Sequence, residues 1–211
     1  MLNAETIMCL IGAYLLGSVP SAVWVGKRFF SIDVREFGSG NAGATNTFRV
    51  LGSKAGIPVL LMDIAKGFIA VQLVHIGGDY LPATQQFVNF KLALGIAALF
   101  GHIFPVFAGF RGGKGVATLL GVGLGVHHEA TLICLVVFIL VLFLSKYVSL
   151  GSMLAALCFP LVVMLIYNET ILSLNIFAMT VSILTLVTHQ KNIERLLRGT
   201  ESKVGFLSRK G

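Results

Sequence analysis

VATLLGVGLGVHHEATLICLVVFILVLFL, residues Val116 to Leu144, carries one acid, Glu129, and no lysine or arginine. A run this apolar offers no polar face to water, so it fits neither a surface helix nor a half-exposed strand. It fits lipid. Backbone in lipid must be paired internally, which leaves helices or a closed barrel. Continuous apolar runs, rather than short alternating ones, select helices. The stretch reads as one long helix or as two short ones parted at His127-His128-Glu129, just after Gly121-x-Gly123-x-Gly125. Composition extends this reading to the whole chain. Of 211 residues, 56% are hydrophobic and 12% charged, against ~25% charged in soluble domains. Mean hydropathy is +0.89. A small soluble domain cannot hide so much apolar surface. A spanning helix needs roughly 20 residues, so seven spans leave no room for a sizeable soluble domain.

Apolar segments lie at 4–26, 55–76, 88–107, 115–127, 130–145, 148–167 and 170–189. The distribution of basic residues sets the parity. With seven spans and the N-terminus outside, all 16 lysines and arginines except Lys66, within a span, and Lys91, at the outer face, fall on the inner side. With six spans, Lys146 and the basic tail (Lys191, Arg195, Arg198, Lys203, Arg209, Lys210) move outside and the bias disappears. The positive-inside rule therefore predicts an all-α, polytopic membrane helix bundle of seven transmembrane helices with the C-terminus cytoplasmic, one embedded domain over 1–211. Outer loops carry Asp79, Glu129 and Glu169. The net charge of +7 then reports topology and contact with anionic headgroups, not nucleic acid. The N-terminus lacks a basic region and a small-residue cleavage site, so it reads as a retained span. Cys9, Cys134 and Cys158 sit in apolar runs without CxxC spacing, which argues against disulfides and zinc.

Three inner segments hold most of the unusual polar composition. The first is Gly38-Ser39-Gly40-Asn41-Ala42-Gly43-Ala44-Thr45-Asn46-Thr47-Phe48-Arg49. Its small residues let backbone N–H groups approach a ligand. Ser39, Asn41, Thr45 and Asn46 add neutral hydrogen-bonding groups, and Arg49 adds charge. On a helical turn, Asn46 and Arg49 share a face. The second is Arg111-Gly112-Gly113-Lys114-Gly115, opening the fourth span. Glycine-rich backbone at a helix start binds anions, with Arg111 and Lys114 as countercharge. Ala108 and Gly115 occupy positions where a Walker A loop needs Gly and Ser or Thr, so phosphate binding is indicated and nucleotide hydrolysis is not. The third runs from Thr188 to Glu201. His189, Asn192 and Arg195 share a face if the seventh helix continues.

Other polar positions read as structural. Asp63 and Lys66, spaced i, i+3 within a span, form a pair that neutralises itself. His102, near the inner end of the third span, either packs or faces the site. Ser149 and Ser152 cap the sixth span. The inner acids Asp33, Glu36, Glu194 and Glu201 make no DxxD cluster for magnesium-dependent phosphotransfer, so no metal or other cofactor is expected.

At these residues the chain resembles the bacterial acyl-phosphate-dependent glycerol-3-phosphate acyltransferases, seven-span enzymes of phospholipid synthesis. The resemblance runs nearly end to end. It is carried by Gly38–Arg49, by Gly101-His102-x-x-Pro105 leading into Arg111–Gly115, by Lys146-Tyr147-x-Ser149, and by Thr188-His189-x-x-Asn192 through Glu201. It implies acyl transfer from acyl phosphate to the 1-hydroxyl of glycerol 3-phosphate, at the cytoplasmic face of the bacterial inner membrane. No obligatory protein partner is implied. By resemblance Ser39, Arg49, Lys114, His189 and Asn192 are catalytic. Asn41, Thr45, Asn46, Arg111, Gly112, Gly113, Gly115 and Ser149 line the substrates, and Glu201 is structural. An acyl phosphate is already activated, so no Ser-His-Asp constellation is required. The base is His189 or the substrate's own phosphate. No His-x4-Asp motif occurs, since Glu194 follows His189 at five residues. A transporter would place its polar groups near the midplane, and here they gather at one interface. A non-catalytic scaffold would use these loops for a partner rather than for turnover.

Overall fold

The computed structural model describes residues 3–78, 80–82 and 84–204, and all regular structure among them is helical. Asp79, Arg209 and Lys210 lie outside the described residues. The chain divides into two compact units, Met1–His127 and His128–Gly211.

The first unit holds α1 (Ala4–Gly17), α2 (Ser21–Phe30), α3 (Ala44–Leu51), α4 (Ser53–Gln72), α5 (Gln85–Ile103) and α6 (Val116–Val126). The second holds α7 (His128–Ser145), α8 (Val148–Leu161), α9 (Leu172–Thr188) and α10 (Gln190–Leu197). All seven expected apolar segments are helical, but their lengths differ from expectation. Four stretches, Ser53–His75, Gln85–Ala108, His128–Ser145 and Val148–Ile166, are long and apolar enough to cross a membrane. Two bent pairs bring the number to six: α1 with α2, bent by 43°, and α9 with α10, bent by 60°. The first bend falls at Pro20, which has no N–H to continue the ladder and starts α2 instead. The run from Val116 to Leu144 is two helices, parted at His127. At 11 residues, α6 is about 16 Å long, roughly half of a ~30 Å hydrocarbon core.

Small residues position α6. A Cβ on Gly121 would strike the carbonyl of Ile64, and one on Gly67 would strike that of Thr118, so α4 and α6 meet backbone to backbone. Gly17 and Gly101 do the same for α1 and α5. This is how helices associate where lipid removes the hydrophobic drive between them. A core of Cys9, Ala13, Ala70, Val74, Phe87, Phe90, Leu94 and Ala98 fills the space among α1, α4 and α5. A second core of Ala22, Val25, Val34, Ala44, Ala55 and Val59 lies under the loop from α2 to α3. Val34 is fully buried there and pins the loop that carries Ser39. In the second unit α8 packs between α7 and α9.

Candidate active site

The first motif is a tight turn feeding a helix. Gly38 and Gly40 both adopt left-handed backbone, φ +62 and +71. L side chains avoid that region, and Ser39 stands exposed between them. Asn46, on α3 and 2% exposed, holds the turn from beneath. Its Oδ1 accepts from Ser39 N at 2.8 Å and Ser39 Oγ at 3.1 Å. Its Nδ2 donates to the carbonyls of Val34 at 2.8 Å and Phe37 at 3.1 Å. Asn46 is thus fully occupied by protein and clamps the loop instead of lining a substrate. Arg49 lies one turn on and is exposed, as is Thr45, while Asn41 is half-buried. The start of α3, at Gly43, has no side-chain cap, so its first N–H groups remain available to an anion.

Arg35, which the sequence reading passed over, ties this loop to the next. Its guanidinium grips Asp33 through Nε at 3.0 Å and Nη2 at 2.7 Å, and Nη1 donates to the Ala108 carbonyl at 2.9 Å. Lys27 Nζ lies 3.1 Å from Asp33 Oδ2. The hydrogen bonds from Arg35, joined by Lys27 and opposed by partial burial, hold the Asp33 carboxyl well below the usual carboxylate range. The signal was the Asp33-x-Arg35 spacing, read only as inner charge.

The second motif corrects an expectation. Gly112 and Gly113 were to offer N–H groups to phosphate. Instead Gly112 N donates to Ile103 O at 3.1 Å and Gly113 N to His102 O at 3.2 Å. Chain reversal at the end of α5 takes both donors. The glycines are needed for closeness: a Cβ on Gly112 would strike the His102 carbonyl, and one on Gly113 the His102 ring. Gly115, left-handed at φ +82, begins α6, whose first turn has no side-chain cap. The N–H groups without a side-chain cap here are those of the α6 start. Lys114 is half-buried and Arg111 exposed beside them.

Behind this loop lies a buried polar chain. Asp63 Oδ1 accepts from Ser21 Oγ at 2.9 Å and pairs with Lys66 Nζ at 2.8 Å. Lys66 also donates to the Val19 carbonyl at 2.9 Å. His102, 5% exposed, places Nδ1 3.0 Å from Thr118 Oγ1 and 3.8 Å from Asp63 Oδ1.

In the second unit the helix does not continue straight through the third motif. It bends at His189, so the expected face of His189, Asn192 and Arg195 begins only after the bend. His189 Nδ1 lies 2.8 Å from the Thr185 carbonyl. With Nδ1–H donated there, the neutral ring carries its lone pair on Nε2, the atom able to take a proton. Glu201 gathers three donors: Ser149 Oγ at 2.9 Å, Asn192 Nδ2 at 2.7 Å and Arg195 Nε at 2.6 Å. Burial alone would raise its pKa, but these donors outweigh burial and hold it low. Neither expected serine caps α8. Tyr147 occupies the cap, Ser149 reaches Glu201, and Ser152 bonds the Val148 carbonyl within the helix. Val204 N donates to Lys146 O at 3.0 Å, which returns the tail to the start of α8.

Comparison with known proteins agrees with this arrangement. The family model described as glycerol-3-phosphate acyltransferase matches residues 7–199. A glycerol-3-phosphate acyltransferase of Enterococcus faecalis is 44% identical over 209 residues, covering 96% of this chain and 93% of the relative. One of Staphylococcus carnosus is 44% identical over 206 residues, covering 95% and 98%. The crystal structure of PlsY (YgiH), an integral membrane glycerol 3-phosphate acyltransferase, in its glycerol 3-phosphate form has a TM-score of 0.84 at 35% identity, over 97% of this chain and 98% of that one. Its lysophosphatidic acid form gives 0.81 at 34% identity, over 97% of each chain.

Proposed function

The chain belongs to the glycerol-3-phosphate acyltransferase family and is a membrane acyltransferase, and from that premise we propose that acyl phosphate is its donor. The 1-hydroxyl oxygen of glycerol 3-phosphate attacks the carbonyl carbon of the donor. The carbon–oxygen bond to phosphate breaks, and the phosphate leaves with the electron pair. The hydroxyl proton passes to a base, His189 Nε2 or a substrate phosphate oxygen. The products are lysophosphatidic acid and inorganic phosphate.

One observation carries the reading. The first unit presents two glycine-shaped loops, each followed by an uncapped helix start and each bearing an exposed or half-exposed cation. Two phosphate-bearing substrates repel unless cations and N–H dipoles offset them. In this proposal Lys114 and the α6 start hold one phosphate, with Arg111 beside them. Arg49 and the α3 start hold the other, near Asn41 and Thr45. Ser39 Oγ, its proton directed to Asn46, accepts from the 2-hydroxyl of glycerol 3-phosphate and so orients the neighbouring 1-hydroxyl for attack. Asn192 and Ser149 serve the reaction by organising Glu201. No step calls for a metal, coenzyme or second protein.

The topology belongs to the same proposal: one domain over 1–211, seven crossings with α6 as a short one, the N-terminus outside, and the site at the cytoplasmic face of the inner membrane. The test is direct. Purified protein in lipid, given acyl phosphate and glycerol 3-phosphate without coenzyme A or acyl carrier protein, forms lysophosphatidic acid matched by phosphate release. Lys114→Ala loses most of kcat/KM. No product from folded wild-type protein refutes the donor, and full activity in Lys114→Ala refutes the loop's role.

A further inference from the structure

We infer that His102 is a positioning residue that sets the glycine loop against the Ser39 loop, with Thr118 fixing the angle of its ring. Four contacts meet at His102 and the Gly113 packed on it. Its carbonyl accepts from Gly113 N at 3.2 Å. Its ring packs so closely on Gly113 that a Cβ there would strike Nε2. That same Cβ would lie 3.2 Å from the Ala42 carbonyl, so the first motif's backbone borders the same spot. Nδ1 is 3.0 Å from Thr118 Oγ1, one turn into the helix that the glycine loop opens.

Behind the ring stands a buried carboxylate, too far away for a hydrogen bond. Asp63 Oδ1 stands 3.8 Å from Nδ1, and is itself held by Lys66 and Ser21. Lys66 reaches the Val19 carbonyl between α1 and α2. Thus polar contacts join α2 to α4 through Ser21 and Asp63, and α5 to α6 through His102 and Thr118. A packing histidine would need only apolar neighbours and one satisfied nitrogen. This one packs on Gly113, the glycine-loop residue that borders the Ala42 carbonyl of the first motif. The ring is buried behind Gly113 and acts through the backbone that carries Lys114.

The inference rests on the proposed reading for its substrates, and the test separates the two. Thr118→Val removes the hydroxyl and keeps the branched shape. The expected result is a rise of about three- to tenfold in KM for one phosphate-bearing substrate, glycerol 3-phosphate or acyl phosphate, with kcat within about twofold. Measuring both KM values tells which phosphate the loop holds. Thr118→Ser restores the lost hydroxyl and returns KM to the wild-type value. Gly113→Ala pushes on the ring from the other side and raises the same KM, which covers failure of Thr118→Val to fold. Protection against thermal unfolding by inorganic phosphate provides a readout without turnover, and Thr118→Val requires about three- to tenfold more phosphate for equal protection. Wild-type protein that is protected by phosphate yet inactive with acyl phosphate refutes the donor alone. Equal KM values and equal protection in Thr118→Val and wild type overturn the inference, as does a Thr118→Ser protein as impaired as Thr118→Val.

Discussion

Asn46 offers the sharpest test of how the Ser39 turn is held. Asn46→Ala removes two bonds accepted from Ser39 and two donated to the carbonyls of Val34 and Phe37. The carbonyls are not equally harmed. Phe37 O keeps Gly40 N at 3.0 Å, whereas Val34 O keeps only a long 3.4 Å bond from Phe37 N. Ser39 N and Oγ are part-exposed, so water replaces Asn46 for them at little cost. A neutral hydrogen bond is worth about 0.5–1.5 kcal/mol, and a buried acceptor left short costs about 1–3 kcal/mol. Together these place the loss of loop order at about 2–3 kcal/mol. If that order is needed only for turnover, kcat/KM falls about 30- to 150-fold at 1.36 kcal/mol per decade. The assay is lysophosphatidic acid formation in lipid, with circular dichroism in detergent to confirm retained helix. Asn46→Asp is at least as damaging, because it turns an oxygen toward the Val34 and Phe37 carbonyls. Asn46→Ala activity within about threefold of wild type would refute the clamp.

The remaining predictions concern the supports. Asp63→Ala leaves Lys66 buried without its carboxylate and destabilises by about 3–5 kcal/mol, whereas Asp63→Leu with Lys66→Met is milder than either charge removed alone; chemical denaturation in detergent compares them. Glu201 has a lowered pKa, so its contribution is fully present above the ordinary carboxylate range near ~4.3 and fades as pH falls through the lower folded value. The protection factor of the Val204 amide, high at neutral pH, falls as pH drops through that lower folded value in wild type; in Glu201→Gln it is low throughout. Gly121→Ala meets the Ile64 carbonyl and separates α4 from α6, while Gly125→Ala meets only the Val71 and Gln72 side chains; thermal unfolding shows a large loss for the first and a small one for the second.

The fold was legible where it rests on hydropathy, and less so where backbone breaks decide it. Residues 55–72 are one helix although Pro58 removes one donor, because Pro58 falls near the helix start, and α4 runs on to Gln72 before the turn at Leu73–His75. Residues 4–26 are not, because Pro20 ends one ladder and starts another. The bend at His189 had no such flag. It comes from a residue at φ −102, ψ 9 whose N–H bonds both Thr185 and Leu186 carbonyls, and no residue preference announces that geometry. Within the site, the Gly38–Arg49 and Arg111–Gly115 motifs were visible as composition. The partners of their backbone atoms were not, because Ile103 O and His102 O are set by chain reversal rather than by side-chain type. Arg35 escaped for a related reason: its target, the Ala108 carbonyl, is invisible to any reading of charge.

Burial then sorts residues that sequence chemistry had put in one class. Ser39, Arg49, Arg111 and Thr45 are exposed, whereas Asn46, His102, Ser149, Asn192 and Glu201 are buried and bonded to protein. The first group is open to a substrate on the proposed reading. Within the first unit Asn46 fixes the turn that carries Ser39; within the second, Ser149 and Asn192 fix Glu201. The two sets should fail differently when altered. Loss of an exposed cation removes charge from a fixed geometry, so a shorter or weaker cation restores part of the activity. Loss of a buried amide or hydroxyl releases the geometry itself, so only a group with the same donors and acceptors restores it. The distinction follows from bonding alone, and it fits the proposal that a motif rich in small neutral residues serves a reaction between two anions. The neutral groups shape the backbone, the shaped backbone aims its own N–H dipoles, and the few cations add the charge that the dipoles lack.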